Sequence, residues 1–118
     1  MQLNHLDLQV SDVQRAAAFF ARHFGFTLTS NPHSPAIAIL SGDGDFTLVL
    51  QKRKTDAPYP EGFHIGFLRR DEAQVHAVRE ALVADGYVFS PVTTNGRGTG
   101  TYGHFEDVLI EVSVRRAH

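Results

Sequence analysis

The sequence predicts an α+β fold in which two paired βαβββ modules form an eight-stranded, cup-shaped mixed sheet with the helices outside. The first observation is an internal repeat, because residues 5–28 resemble residues 64–89. Each copy begins with a His in an apolar-rich run and continues through a helical stretch to a Gly and an aromatic residue. The second observation is that extended runs, separated by turn-forming residues, follow each helical stretch. The βαβββ pattern is therefore predicted twice in one chain.

The length and composition fit one globular domain. The chain has 118 residues, of which 42% are hydrophobic. We predict a single domain over residues 1–118, with module 1 at 1–54, a polar Pro-containing linker at 55–62 and module 2 at 63–118. A module of about sixty residues is too small to close a core alone, so we expect the modules to pair within one chain or across two.

The charge balance and the absence of Cys exclude several classes of protein and site. With 11 Lys+Arg against 13 Asp+Glu, the net charge of −2 predicts no binding of nucleic acid or of an anionic membrane. Because the sequence has no Cys, disulfides, zinc ribbons and Cys nucleophiles are ruled out. No apolar run is as long as a signal-peptide core or a membrane span, so we expect a cytoplasmic protein.

The first strand and the two helices follow from hydrophobic periodicity. In the first strand, Leu6, Leu8 and Val10 share one face, and His5, Asp7 and Gln9 share the other. The helices carry apolar stripes at Val13, Ala16, Ala17, Phe20 and Phe24, and at Val75, Val78 and Leu82. The candidate capping boxes are Ser11 with Gln14 and Asp71 with Gln74. Gly25 and Gly86 lie where the residue that follows a helix takes a positive φ.

The remaining strands place further polar side chains on one face. The predicted extended runs are 26–29, 36–40 and 45–51 in module 1, and 87–90, 99–105 and 108–115 in module 2. Alternation in the fourth strand puts Thr47, Val49 and Gln51 opposite the apolar residues. The same alternation puts His64 of the fifth strand and Glu111 of the last strand on their polar faces. We expect these faces to line the inside of the cup.

The repeat makes some of these positions equivalent. His5 corresponds to His64, and Val49 corresponds to Glu111 in the middle of each module's last strand. Two imidazoles and one carboxylate suit Zn, Mn, Fe(II), Ni or Co, with coordination positions left for water or substrate. Two other interpretations stay open: ordinary polar residues on a partly solvated sheet face, or a protonated His paired with Glu111.

The opening residues 3–26, LNHLDLQVSDVQRAAAFFARHFGF, resemble the first strand and helix of the vicinal oxygen chelate superfamily. That superfamily includes glyoxalase I, bleomycin-binding proteins, fosfomycin-modifying enzymes and extradiol dioxygenases. The resemblance covers essentially the whole chain and implies paired βαβββ modules around a ligand site, with metal ligands at His5, His64 and Glu111. The fourth ligand position of the family falls on Val49, which cannot bind a metal. This departure argues against ordinary glyoxalase I, whereas the fosfomycin-modifying and extradiol branches use a His, His, Glu set.

Other residues are candidates for catalysis and substrate binding. Asp7 shares the face of His5 and is a candidate general base or proton shuttle; the alternative is a solvated or ion-paired strand end. The Gly-rich segment 93–103 is interpreted as a flexible flap, or alternatively as a plain hairpin, whose Arg97 or Tyr102 reaches an anionic or aromatic ligand. The predicted substrate-pocket residues are Thr47, Val49, Gln51, Arg97 and Tyr102.

Two classes of function remain open from the sequence. The first is a metalloenzyme of isomerase, lyase or thiol-addition type, in which one divalent cation per site (Mn, Fe, Ni, Co or Zn) chelates two oxygens of a small substrate. The second is a metal-free protein of the bleomycin-resistance type that binds a small molecule or drug. The resemblance implies a homodimer in either case.

Overall fold

The computed structural model describes residues 1–116, which divide into two compact units. The first unit is Met1–Ala57, and the second begins at Pro58. Within residues 1–116, the strands form two four-stranded mixed sheets, one in each unit, and each unit has one α-helix. The predicted α+β class and the predicted βαβββ order are confirmed.

Unit 1 is a mixed sheet with a single parallel crossover. Its elements are β1 (His5–Val10), α1 (Val13–Phe24), β2 (Thr27–Leu28), β3 (Ile37–Gly42) and β4 (Phe46–Lys52), with a 3₁₀ turn at Asp43–Asp45. The strand order is β1-β4-β3-β2. β1 pairs in parallel with β4, and the other neighbours are antiparallel. The helix is therefore the crossover that a parallel pair requires.

Unit 2 repeats this topology. Its elements are β5 (His64–Leu68), α2 (Glu72–Ala84), β6 (Thr93–Asn95), β7 (Gly98–Phe105) and β8 (Val108–Arg115). The strand order β5-β8-β7-β6, with β5 parallel to β8, matches that of unit 1 position by position. Equivalent strands of the two units therefore lie at equivalent places in their sheets.

Each unit buries one face of its sheet under its own helix. In unit 1, Val13, Ala16, Ala17 and Phe20 of α1 are buried together with Leu8, Val10, Leu40, Leu48 and Leu50 of the sheet. In unit 2, the buried set is Val75, Leu82, Phe105, Val108, Ile110 and Val112. Each large apolar side chain in these sets stabilises the fold by roughly 1.5–3 kcal/mol relative to exposure. The opposite sheet faces carry polar residues such as Asp7 and Glu111 together with apolar residues such as Ile39 and Val49.

The helix ends agree with the predictions in three places out of four. Asp71 caps α2 as predicted, since its Oδ1 accepts from the backbone N–H of Gln74 at 2.9 Å. The Gln74 side chain accepts from the N–H of Arg70 rather than from that of Asp71, so only this half of the predicted capping box forms. Gly25 has φ 74° and Gly86 has φ 90°, as predicted for residues that follow a helix. The prediction that Ser11 caps α1 is wrong, because the neighbouring Asp12 is the cap and accepts from the N–H of Arg15 at 3.1 Å. A carboxylate is as good a cap as a hydroxyl, so the sequence alone did not separate adjacent candidates.

Gln14, the predicted partner of Ser11, has a different role. Its side-chain amide donates to the backbone carbonyl of Ser34 at 2.7 Å and to that of Asn31 at 3.3 Å. The residue therefore fastens the loop between β2 and β3 to the helix.

The predicted strand at 87–90 is wrong. That segment makes an isolated bridge between Phe89 and Gly103, and the strand lies further on, at Thr93–Asn95. The Arg79 guanidinium donates to the backbone carbonyl of Ser90 at 2.8 Å and to that of Phe89 at 3.2 Å. Pro91 then has no N–H to continue a ladder. Pairing therefore resumes only after the proline.

The Gly-rich segment 93–103 forms a regular β-hairpin. Thr93 pairs with Gly100 and Asn95 pairs with Gly98, so Gly96 and Arg97 form a two-residue turn. Tyr102 consequently lies on a strand rather than in a loop, while Arg97 lies at the hairpin tip. In the described part of the chain, neither helix is long and apolar enough to cross a membrane.

Candidate functional site

Parallel pairing of β5 with β8 brings His64 and Glu111 together. His64 is paired with Leu109 and Gly66 with Glu111, so the two side chains are diagonal neighbours on one sheet face. His64 Nε2 lies 3.6 Å from Glu111 Oε1. The Glu111 residue is 3% exposed, whereas the His64 side chain is 46% exposed. A buried carboxylate at the centre of a strand needs partners that compensate for lost hydration.

A backbone carbonyl orients the imidazole of His64. Its Nδ1 lies 2.9 Å from the carbonyl oxygen of Gly62. Because a carbonyl only accepts, Nδ1 carries the hydrogen in this contact, and in the neutral ring Nε2 then holds a lone pair. That lone pair and the Glu111 carboxylate together provide a place for a cation.

Three further side chains contact the Glu111 carboxylate, two of them at Oε2. Ser113 Oγ donates to Oε2 at 2.5 Å, and Arg115 Nη2 lies 3.5 Å from the same oxygen. Tyr102 donates its hydroxyl to the carboxylate. Partial burial, followed by the charge and the hydrogen bond of Glu111, raises the pKa of Tyr102, while Arg115 and Arg97 act in the opposite direction. Tyr102 therefore stays protonated and acts as a donor at neutral pH.

A pocket of about 590 Å³ opens beside these residues in unit 2. Its floor is β8 from Leu109 to Arg115 and the glycine-bearing part of β7, and the β6–β7 hairpin forms one wall. The predicted residues His64, Glu111, Arg97 and Tyr102 all line it. The structure thus brings together every candidate that the sequence placed in unit 2.

The candidates of unit 1 also share one sheet face. His5 is paired with Thr47, Asp7 with Val49, and Gln9 with Gln51. Gln51 Nε2 donates to Asp7 Oδ2 at 2.5 Å, and Gln9 Nε2 donates to Oδ1 at 2.9 Å. Two side-chain amides therefore orient the Asp7 carboxylate. Val49 beside it is 8% exposed and contributes an apolar surface.

The donor atoms of unit 2 fit part of a metal site. Two ligand atoms of one tetrahedral ion lie about 3.4 Å apart when each bond is near 2.1 Å, and His64 Nε2 and Glu111 Oε1 are 3.6 Å apart. Among residues 1–116, however, no group of three or more His, Cys, Asp or Glu side chains is placed to hold a metal ion. His64 and Glu111 therefore fit two coordination positions of one metal ion.

Two residues of the site were missed by reasoning from the sequence. Ser113 and Arg115 were not selected as site residues, although both touch the Glu111 carboxylate. They follow Glu111 by two and four positions on the same strand, so the period of two already placed them on its face. That spacing was the available signal.

Comparisons with known proteins identify the family. The model of the Glyoxalase/Bleomycin resistance protein/Dioxygenase superfamily matches residues 2–108. A possible glyoxalase from Bacillus cereus is 32% identical, with a TM-score of 0.84, and the alignment covers 96% of this chain and 98% of that one. None of the curated proteins matches the chain.

More distant structures share the fold. The fosfomycin resistance protein FosX from Listeria monocytogenes has a TM-score of 0.80 at 20% identity, over 98% of this chain and 94% of that chain. Lactoylglutathione lyase from Agrobacterium tumefaciens has a TM-score of 0.75 at 17% identity, over 96% and 92% of the two chains.

Proposed function

The chain belongs to the Glyoxalase/Bleomycin resistance protein/Dioxygenase superfamily, and from that premise we propose that it is a divalent-metal-dependent enzyme of the vicinal oxygen chelate type. Its substrate would be a small molecule that presents two oxygens to the ion, and the reaction would be an isomerisation, an elimination or a thiol addition. The observation that carries the proposal is the His64–Glu111 pair at 3.6 Å. The Bacillus cereus protein, described as a possible glyoxalase, supports the same type of activity.

The proposed ligands are His5, His64 and Glu111. The Gly62 carbonyl supports the role of His64, because it fixes the tautomer that leaves Nε2 as the ligand atom. The role of His5 rests on the repeat, in which it occupies the position of His64. A bound Mn, Fe, Ni, Co or Zn ion would supply Lewis-acid stabilisation of negative charge on a substrate oxygen. Val49 at the fourth position argues against ordinary glyoxalase I.

The other residues act on the substrate in this proposal. Asp7, oriented by the amides of Gln9 and Gln51, takes or returns a proton. Tyr102 orients the Glu111 carboxylate through its hydroxyl. Arg97 lines the pocket of unit 2, whereas Thr47, Val49 and Gln51 of unit 1 do not line it and are proposed here only as further substrate contacts. The active form in this proposal is a homodimer.

Metal content tests the proposal most directly. We expect about one ion per chain in wild-type protein, and a loss of affinity of more than about 100-fold in Glu111→Gln and His64→Gln. Glu80→Gln and His76→Gln are matched controls, because both residues are exposed on α2. If the wild type takes up none of the five metals, or if the control variants lose as much metal as the site variants, the proposal is wrong.

A second function is favoured by Val49. Its apolar side chain, 8% exposed, stands at the position equivalent to Glu111. In this alternative the protein binds a hydrophobic or cationic drug without metal, as a bleomycin-resistance protein does. Absence of metal uptake together with saturable quenching of tyrosine fluorescence by bleomycin would establish it.

A further inference from the structure

We propose that Arg97 and Arg115 form a subsite for an anionic oxygen group, a carboxylate or a phosphate-type group, on the substrate. This inference rests on the proposed function, because it names the class of substrate that the same pocket takes. Arg97 was already a candidate for an anionic ligand from the sequence, whereas Arg115 enters from the structure.

The hairpin and the last strand bring the backbones of Arg97 and Arg115 close together at one end of the sheet of unit 2. Arg115 is paired across the strands with Gly98, which directly follows Arg97. The backbone N–H of Arg116 donates to the carbonyl of Arg97 at 2.7 Å, so the hairpin tip is fastened to the end of β8. Both arginines line the pocket.

Arg115 keeps donors available for a ligand. Its contact with Glu111 is a single Nη2–Oε2 approach at 3.5 Å, longer than the 2.7–2.9 Å typical of a charge-assisted hydrogen bond. Its side chain is 55% exposed. A guanidinium has five N–H donors in a planar fork that matches carboxylate and phosphate oxygens. The weak contact with Glu111 therefore leaves most of this fork to the pocket.

Two glycines of β7 line the pocket beside Arg115. Gly98 faces Arg115 and Gly100 faces Ser113. A Cβ at Gly100 would lie 2.8 Å from the Ser113 Cβ, and a Cβ at Gly98, where φ is +149°, would collide with the Val114 carbonyl oxygen. Close packing of β7 against β8 therefore excludes a side chain at both positions, and both glycines line the pocket without placing a side chain between it and Arg115.

The charge of the pocket differs in sign from that of the whole chain. Among the described residues, its charged lining consists of Arg97, Arg115 and Glu111, a net charge of +1 with His64 neutral. The whole chain has a net charge of −2. A divalent ion on Glu111 would make the pocket more positive still. A substrate that brings its own negative charge would balance this excess.

Titration of metal-free protein with inorganic phosphate and with acetate, at constant ionic strength, tests the subsite. Backbone amide shifts in ¹⁵N NMR spectra give the Kd, and we expect saturable shifts on the β6–β7 hairpin and β8. Arg115→Gln and Arg97→Gln should each weaken binding by about tenfold or more, because each removes a charge-assisted donor pair. Arg116→Gln is the matched control, because it also removes one positive charge and Arg116, which follows Arg115, does not line the pocket.

The outcomes separate this inference from the proposed function. Because the titration needs neither metal nor turnover, a protein that takes up no metal can still bind phosphate through the two arginines. No saturable binding by the wild type, or equal weakening in Arg116→Gln, would overturn the subsite even if metal binds at Glu111. A lower Kd for acetate than for phosphate assigns a carboxylate substrate, and the reverse order assigns a phosphate-type group; either result supports the subsite.

Discussion

At the scale of single residues, Glu111 is the residue that most of the other candidate site residues of unit 2 contact. It is 3% exposed, yet its Oε1 lies near His64, its Oε2 contacts Ser113 and Arg115, and its carboxylate also accepts from Tyr102. A buried carboxylate is costly unless hydrogen bonds and opposite charges compensate for its lost hydration. The surrounding donors hold the carboxylate in one orientation, which a metal ligand also requires.

Removing the Ser113 hydroxyl should weaken metal binding more than it weakens the fold. In Ser113→Ala, Glu111 Oε2 loses the donor at 2.5 Å but keeps Arg115 and Tyr102. Loss of one hydrogen bond that orients a metal ligand typically costs about 10–100-fold in affinity. Chelator competition measures this affinity, and Ser41→Ala, on an exposed position of β3, is the control. Unchanged metal affinity in Ser113→Ala would show that Ser113 does not position the ligand.

The raised pKa of Tyr102 predicts a dependence of stability on alkaline pH. Because the folded state favours the neutral phenol, its contribution is complete below the ordinary tyrosine pKa of about 10. It is lost as the pH rises through the folded pKa, since the unfolded chain releases its proton first. Urea unfolding at pH 8 and pH 10.5 should show a smaller loss of stability in Tyr102→Phe than in the wild type. Equal losses in the two proteins would contradict the assigned Tyr102–Glu111 contact.

At the scale of secondary-structure elements, polar contacts fix the β6–β7 hairpin internally, to α2 and to the segment at Ser90. Thr99, which is 5% exposed, donates its hydroxyl to Glu72 Oε1 at 2.9 Å and lies 2.8 Å from the Thr94 hydroxyl. Thr101 donates to the Ser90 carbonyl at 2.6 Å. These contacts replace apolar packing along this part of β7 and keep the Arg97 turn in place.

Thr99→Val should therefore destabilise the protein although it preserves side-chain volume. The variant leaves Glu72 without the Thr99 donor and Thr94 without its hydroxyl partner, which we expect to cost about 1 kcal/mol. The free energy of unfolding in urea measures the effect. Thr27→Val, on an exposed position of β2, is the control and should change stability by less. If Thr99→Val is as stable as the wild type, the Thr99 hydroxyl does not fix the hairpin.

The elements show which features of the fold are local enough to predict. Alternation with a period of two placed Asp7 and Glu111 on the correct faces, because burial of one sheet face enforces it. The prediction of a strand at 87–90 failed because Arg79, ten and eleven residues earlier, donates to the carbonyls of Phe89 and Ser90, and because Pro91 has no N–H to continue a ladder. The 3.6 Å approach of His64 to Glu111 depends on the register of β5 against β8, which no local pattern specifies. The site residues could therefore be predicted from the sequence, but the distance between them could not.

At the scale of the whole molecule, two units of the same topology carry different chemistry. Asp7 and Val49 are register partners in unit 1, where unit 2 has Gly66 and Glu111. The two units therefore share their backbone topology, but the buried carboxylate of Glu111 and the pocket arginines Arg97 and Arg115 occur in unit 2. Only one member of the proposed ligand set, His5, belongs to unit 1.

Metal-linked stability tests whether that one residue takes part. An ion at a hundredfold excess over its Kd stabilises the folded state by about 2.7 kcal/mol, which for a domain of this size raises Tm by roughly 10 °C. If His5 is a ligand, His5→Gln should lose most of this rise, as should Glu111→Gln, while His76→Gln should keep it. The measurement is Tm in chelator and in excess metal for each variant. A full rise in His5→Gln together with none in Glu111→Gln would assign the ion to unit 2 without His5, because only the loss of a ligand weakens the affinity on which the stabilisation depends.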